Sequence, residues 1–115
     1  MQVKELNEKL PVELFCEGGN LEQEVTGGYC SDLLSVVMSR AGEGNVWITL
    51  QGHPNIVAVA VLVNLAAIIV TENSQVDDET VEKAREEGVI ILTTDLSSYE
   101  IAGKLYNLGI HGEKK

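Results

Sequence analysis

A chain of 115 residues and 12.5 kDa has room for one domain, and 44% hydrophobic residues give it more core than a disordered protein carries. Eighteen acidic against eight basic side chains set a formal charge of −10, which argues against nucleic acid as a partner, because basic groups on phosphate supply most of such affinity. Aromatics at 4% make the core aliphatic, and two cysteines are too few for a disulfide framework.

Val3, Leu6 and Leu10 recur at helical spacing with Lys4, Glu5 and Glu8 outside, so Val3–Leu10 is expected to be a short amphipathic helix stopped by Pro11. Val12–Cys16 reads as a strand whose Val12, Leu14 and Cys16 alternate with Glu13 and Phe15. Glu17-Gly18-Gly19-Asn20 is a turn, and Glu24–Cys30 is a second strand with two glycines inside it. Ser31 is expected to cap a helix running to Arg40, with Leu33, Leu34, Val37 and Met38 as its buried stripe. Val46–Leu50 is a strand.

Pro54–Val63 is rich in β-branched residues, which propensity alone would allow as a strand. Pro54 suits the first turn of a helix, and Asn64 breaks the run before Leu65–Val70. The reading is a helix followed by a strand. Asp77–Glu87 is the clearest helix, with Asp77 as cap, Val76 and Val81 as a staple and Gly88 as its end. Val89–Thr93 is an apolar strand. Ser97 and Glu100 form a capping box for a last helix that Gly109 ends. Alternating strands and helices in the second half predict an α/β fold: a small, mostly parallel sheet flanked by helices. The domain is expected to span 1–115, with a core over 3–109 and a polar tail over 110–115.

The amino terminus lacks the apolar run of a signal peptide, and Ile56–Val70, interrupted by Asn64, falls short of the ~20 residues of a membrane helix. The expectation is a soluble, cytoplasmic protein with no membrane partner. Cys16 and Cys30 read as buried, reduced thiols; a disulfide or redox switch is the alternative. No zinc spacing, P-loop, dinucleotide fingerprint or nucleophile elbow is present, so no cofactor or metal is expected. The acidic run Asp77-Asp78-Glu79 with Glu82, Glu86 and Glu87 reads as a solvated helix face, and His111 as a solvated tail residue.

Two segments interrupt the aliphatic chain. Thr26-Gly27-Gly28 lets backbone amides approach a ligand; a bulge whose glycines only allow close packing is the alternative. Gln51-Gly52-His53-Asn55, around Pro54, follows a strand and leads into a helix, where α/β sheets bind ligands and helix ends attract anions; local capping is the alternative. Thr71 and Thr93-Thr94 end strands on the same rim. The expectation is one cleft joining Thr26, Gly27 and Gly28 to Gln51, Gly52, His53 and Asn55.

Read together, Leu21-Glu22-Gln23-Glu24-Val25-Thr26-Gly27-Gly28-Tyr29-Cys30-Ser31-Asp32 and Trp47-Ile48-Thr49-Leu50-Gln51-Gly52-His53-Pro54-Asn55-Ile56 resemble, in order and spacing, two blocks of the DRTGG-domain family. The resemblance runs from about Val3 to Gly109. Thr26-Gly27-Gly28 keeps the end of that family's name motif, but no Asp-Arg precedes it, so a bidentate cation for phosphate is missing here. The resemblance implies a fold like the N-terminal domain of HPr kinase/phosphorylase, without its kinase domain, and a bacterial accessory module of the kind found in phosphotransacetylases and CBS-containing pyrophosphatases.

The function expected is a non-catalytic regulatory or ligand-sensing module that binds a small anionic or nucleotide-like ligand and self-associates. The alternative is a protein-interaction scaffold for a metabolic or redox partner enzyme. A small enzyme using His53 as base is the remaining rival. Pro54–Val63 has no charged residue, so on a two-layer domain one side of that helix lacks cover, and a homodimer through Pro54–Val63 would close it. Burial by Val3–Leu10 or Ser31–Arg40 is the alternative there.

Overall fold

The computed structural model describes residues 1–112. Its elements are α1 (Val3–Lys9), β1 (Glu13–Glu17), β2 (Gly27–Cys30), α2 (Leu34–Arg40), β3 (Asn45–Thr49), α3 (Asn55–Val63), β4 (Ala67–Val70), α4 (Asp78–Glu87), β5 (Ile90–Thr93) and α5 (Ser98–Asn107). The five strands form one sheet in the order β1-β5-β4-β3-β2. β2 to β5 are parallel neighbours, and β1 joins β5 antiparallel. The mostly parallel α/β expectation holds.

The strands of the middle read as unbroken apolar runs because both of their faces are covered. Val46, Ile48, Ala67, Ile69, Ile90 and Leu92 pack on one side with Leu6 of α1 and Ile101 and Leu105 of α5. Trp47, Ile68, Val70 and Ile91 pack on the other with Val37 of α2, Ile56 and Val59 of α3 and Ala84 of α4. The molecule thus has three layers, where the sequence suggested two. α3 lies between α2 and α4, while α1 is on the opposite face and cannot cover it.

Several boundaries differ from expectation, each for a tertiary reason. The second strand starts at Gly27, not Glu24, because Val25 bonds back to Met1 and Thr26 to Gly44. Ser31 does not cap α2: its Oγ accepts from Leu33 N at 3.1 Å ahead of a helix that starts at Leu34. Asp32 bonds to the far end of β3 instead, its Oδ1 accepting from Thr49 Oγ1 at 2.8 Å and Leu50 N at 2.9 Å. Of the stripe expected on this helix only Val37 is fully buried; Leu33 is 61% and Met38 43% exposed. In β1 the alternation is broken. Leu14 pairs with Leu92 and Cys16 with Ile91, so Phe15 is an extra, bulged residue and Leu14 and Cys16 serve opposite faces.

The start of the tail is ordered into the fold. Ile110 is buried, His111 stacks on Tyr106 with ring centroids 4.3 Å apart, and Gly28 N donates to the His111 carbonyl at 2.9 Å. Residues 110–112 thereby run along the outer edge of β2. The last three residues of the expected tail lie outside the described residues.

Candidate functional site

The two glycine-bearing segments do not share a cleft. Gly27 pairs with Asn45, the first residue of β3, whereas Gln51 follows Thr49, its last. Six residues of strand separate the two levels by about 20 Å. Thr26-Gly27-Gly28 is at the amino end of the parallel strands, and Gln51–Asn55 is at the carboxyl end. A strand assigned from Glu24 put Thr26 and Gly27 inside it and hid that they open it.

At the amino end the segment is filled by the protein itself. The Thr26 hydroxyl donates to the Glu43 carbonyl at 2.6 Å and accepts from Asn45 Nδ2 at 3.1 Å. Gly27 is buried, and a Cβ there would come within 2.9 Å of the His111 carbonyl oxygen. The glycines admit close packing of residues 110–112, which is the alternative weighed against an anion site.

At the carboxyl end the polar groups are also largely occupied. Gln51 Nε2 donates to the Asp32 carbonyl at 3.3 Å. Gly52 is buried; its carbonyl accepts from Thr80 Oγ1 at 2.7 Å and Asp77 N at 3.1 Å at the start of α4. His53 Nδ1 lies 3.2 Å from Asp77 Oδ2 on the surface, its one side-chain hydrogen bond among the described residues. Asn55 is exposed. Among the described residues no buried side-chain nitrogen or oxygen lacks a partner, and no three His, Cys, Asp or Glu side chains converge as metal ligands.

The open site on this rim lies one step along the sheet. Pro11, Glu13 and Phe15 form one wall, the β4–α4 loop from Asn73 to Val76 the other, and Thr93, Thr94 and Asp95 close the end; the hollow holds about 510 Å³. The bulge in β1 places Phe15 on this wall, and the ring is 45% exposed. The opposite wall begins at Asn73 (φ 53°), which with Glu72 (φ 63°) just before it makes two successive non-glycine residues in left-handed conformation. Such geometry costs roughly 1 kcal/mol or more per residue and persists where neighbours over-determine it. Here Glu72 N donates to Leu96 O at 2.8 Å, Asn73 N to Thr94 O at 3.0 Å, and Glu72 Oε2 accepts from Ser98 N at 3.2 Å. Thr94 Oγ1 ties the two walls together by donating to Pro11 O at 2.9 Å.

Thr93-Thr94 were legible as rim residues. Phe15, Asn73, Ser74, Gln75 and Asp95 were missed, although Glu72-Asn73-Ser74-Gln75 is a polar run directly after an apolar strand, the same signal that singled out Gln51–Asn55. No Lys, Arg or His lines this hollow, while Glu13 and Asp95 do.

A second open feature is on the outside of the α2–α3–α4 layer. Ala58, Val61 and Leu62 of α3 line a shallow hollow of about 560 Å³ with Lys83, Glu86 and Glu87 of α4. Val61 is 46% and Leu62 71% exposed.

Comparison with known proteins gives a family model and a fold. The model described as the DRTGG domain matches residues 5–108. No curated protein matches the chain. Among solved structures, it is similar to the CBS and DRTGG domains of the regulatory region of Clostridium perfringens pyrophosphatase, a structure complexed with the activator diadenosine tetraphosphate. The match has a TM-score of 0.67 at 15% identity and covers 90% of this chain and 45% of that one. This chain therefore spans less than half of the regulatory region it resembles.

Proposed function

The chain belongs to the DRTGG domain family, and we propose from that premise that it is a non-catalytic regulatory module that takes a small ligand in the carboxyl-end hollow and self-associates through α3. The observation that carries the ligand site is the meeting of a bulged aromatic, Phe15, with the left-handed Asn73 across one hollow at the strand ends where α/β sheets bind. Regulation by a nucleotide activator in the pyrophosphatase region favours a nucleotide-like ligand here. The lining narrows that class. Two carboxylates, hydroxyls, amides and an aromatic face suit a base and its sugar hydroxyls better than a bare phosphate, because the hollow offers no cation.

A thermal-shift screen of the wild-type chain against nucleosides, nucleotides and phosphorylated metabolites tests this reading. A ligand at a hundredfold its Kd adds about 2.7 kcal/mol of stability, and Phe15→Ala abolishes the shift. Silence across the panel overturns the ligand site. The second reading, an interaction domain for a partner enzyme, is favoured by the exposed Val61 and Leu62.

A further inference from the structure

The geometry points to one arrangement of two copies of this chain: α3 and α4 of one protomer lie antiparallel on α3 and α4 of the other, about a two-fold axis crossing α3 near Ala60. This inference rests on the self-association proposed above and specifies its geometry.

α3 carries no charged residue, yet it is the middle helix of its layer and turns Ala58, Val61 and Leu62 outward. A surface helix ordinarily keeps a polar stripe there, and a contiguous apolar patch marks a contact site. What selects a second copy is the rim. α3 and α4 both return from the carboxyl to the amino end of the sheet, so they run side by side in one direction. Ala58 and Leu62 are four residues apart on α3, and Lys83 and Glu86–Glu87 three to four apart on α4, so each pair spans about 4.5–6 Å of helix axis. The small and cationic positions precede the large and anionic ones on the two helices.

A two-fold axis lying in the interface and perpendicular to these helices reverses their direction while keeping α3 on α3 and α4 on α4. Lys83 then meets Glu86 and Glu87 of the partner subunit, and the reverse contact forms by symmetry. Leu62 falls on Ala58 of the partner subunit, large against small. An in-plane axis along the helices instead sets Leu62 on Leu62 and carries α4 over α2, where Lys83 loses those carboxylates. Of these two arrangements the antiparallel one is complementary in both shape and charge. On a chain of net charge −10, this places the contact on a face that carries a cation, Lys83, beside its carboxylates.

Sedimentation equilibrium of the full chain tests it. The wild type is expected at twice the 12.5 kDa chain mass at high micromolar concentration. Lys83→Glu weakens the dimer by about tenfold or more, and adding Glu86→Lys and Glu87→Lys in the same chain restores it. Leu62→Asp gives a monomer with unchanged circular dichroism, since that side chain is exposed in the single chain. A wild-type monomer overturns both this geometry and self-association. A stable dimer indifferent to Lys83→Glu, or one not restored by the triple reversal, overturns the geometry alone and leaves self-association standing.

Discussion

Thr26 and Glu43 are joined by a hydrogen bond of 2.6 Å from the threonine hydroxyl to the main-chain carbonyl, which fastens the start of β2 to the turn that launches β3. The same hydroxyl accepts from Asn45 Nδ2, so one exposed side chain serves both sides of the turn. Thr26→Val is expected to cost about 0.5–1.5 kcal/mol, the ordinary net worth of such bonds at a wet site. Gly27→Val should cost more, about 1–3 kcal/mol, because its Cβ meets the His111 carbonyl. Urea denaturation measures both. If Gly27→Val is as stable as wild type, the glycine has no packing role.

Two other glycines should respond in opposite senses. At Gly52 a Cβ would overlap the Gln75 carbonyl oxygen, and both partners are main chain. Gly52→Ala is expected to displace the β4–α4 loop and lower the thermal midpoint sharply. Gly103, inside α5, has open space around its missing Cβ. Gly103→Ala should add about 0.5–1 kcal/mol by restricting the unfolded chain and restoring helix propensity. Thermal scans of the two variants beside wild type check the pair.

Cys16 and Cys30 are free, on β1 and β2 at opposite edges of the sheet. Four strand spacings put them about 19 Å apart, well beyond disulfide reach. Cys16 is buried as expected, but Cys30 is exposed, which corrects the expectation of two buried thiols. Partial desolvation of its thiol, and then the Asp32 carboxylate, push Cys30 above its ordinary value. Because Cys30 is exposed and Cys16 buried, iodoacetamide should modify Cys30 alone in the folded chain. The rate should keep climbing at pH values above the usual thiol range. Mass spectrometry should find Cys16 modified only after unfolding, and Cys30→Ser should remove the native labelling.

Acid sensitivity is expected at the first helix. Glu5 Oε2 accepts from Gln2 N at 2.7 Å, and that bond holds the Glu5 carboxyl below the usual range against the opposing effect of desolvation, with help from Lys9, the amino terminus and Lys4. A carboxyl depressed in the folded state contributes its stability fully above the ordinary glutamate range. That contribution is lost as pH falls through the lower, folded value. Glu5→Gln should flatten the decline of thermal midpoint with acid relative to wild type. Parallel curves for the two proteins would show that the bond is not coupled to folding.

The elements legible from the sequence were those whose signals are local. Asp77 and Gly88 bracket α4, with Gly88 left-handed at φ 72°, and Ser97 accepts from Glu100 N at the start of α5, as their spacing predicts; Asp77 holds the cap position, but its carboxylate makes no capping bond and meets His53 instead. Signals that depend on a distant partner misled. Ser31 looked like a cap until Asp32 found Thr49, and β1 looked evenly alternating until pairing with β5 forced out Phe15. The candidate site was legible only in part for the same reason. Thr93-Thr94 announce a strand end, but which loops face them is set by strand order, and β1 beside β5 is a contact across most of the chain.

That contact orders events during synthesis. Residues 27–87 hold three parallel strands and their return helices, each joined to a near neighbour in sequence. β1 has no partner among them: Glu13 waits for Thr93 and Glu17 for Ile90. On a ribosome the strand made first is docked last, and its Phe15 bulge, hence one wall of the hollow, takes shape only once β5 has emerged.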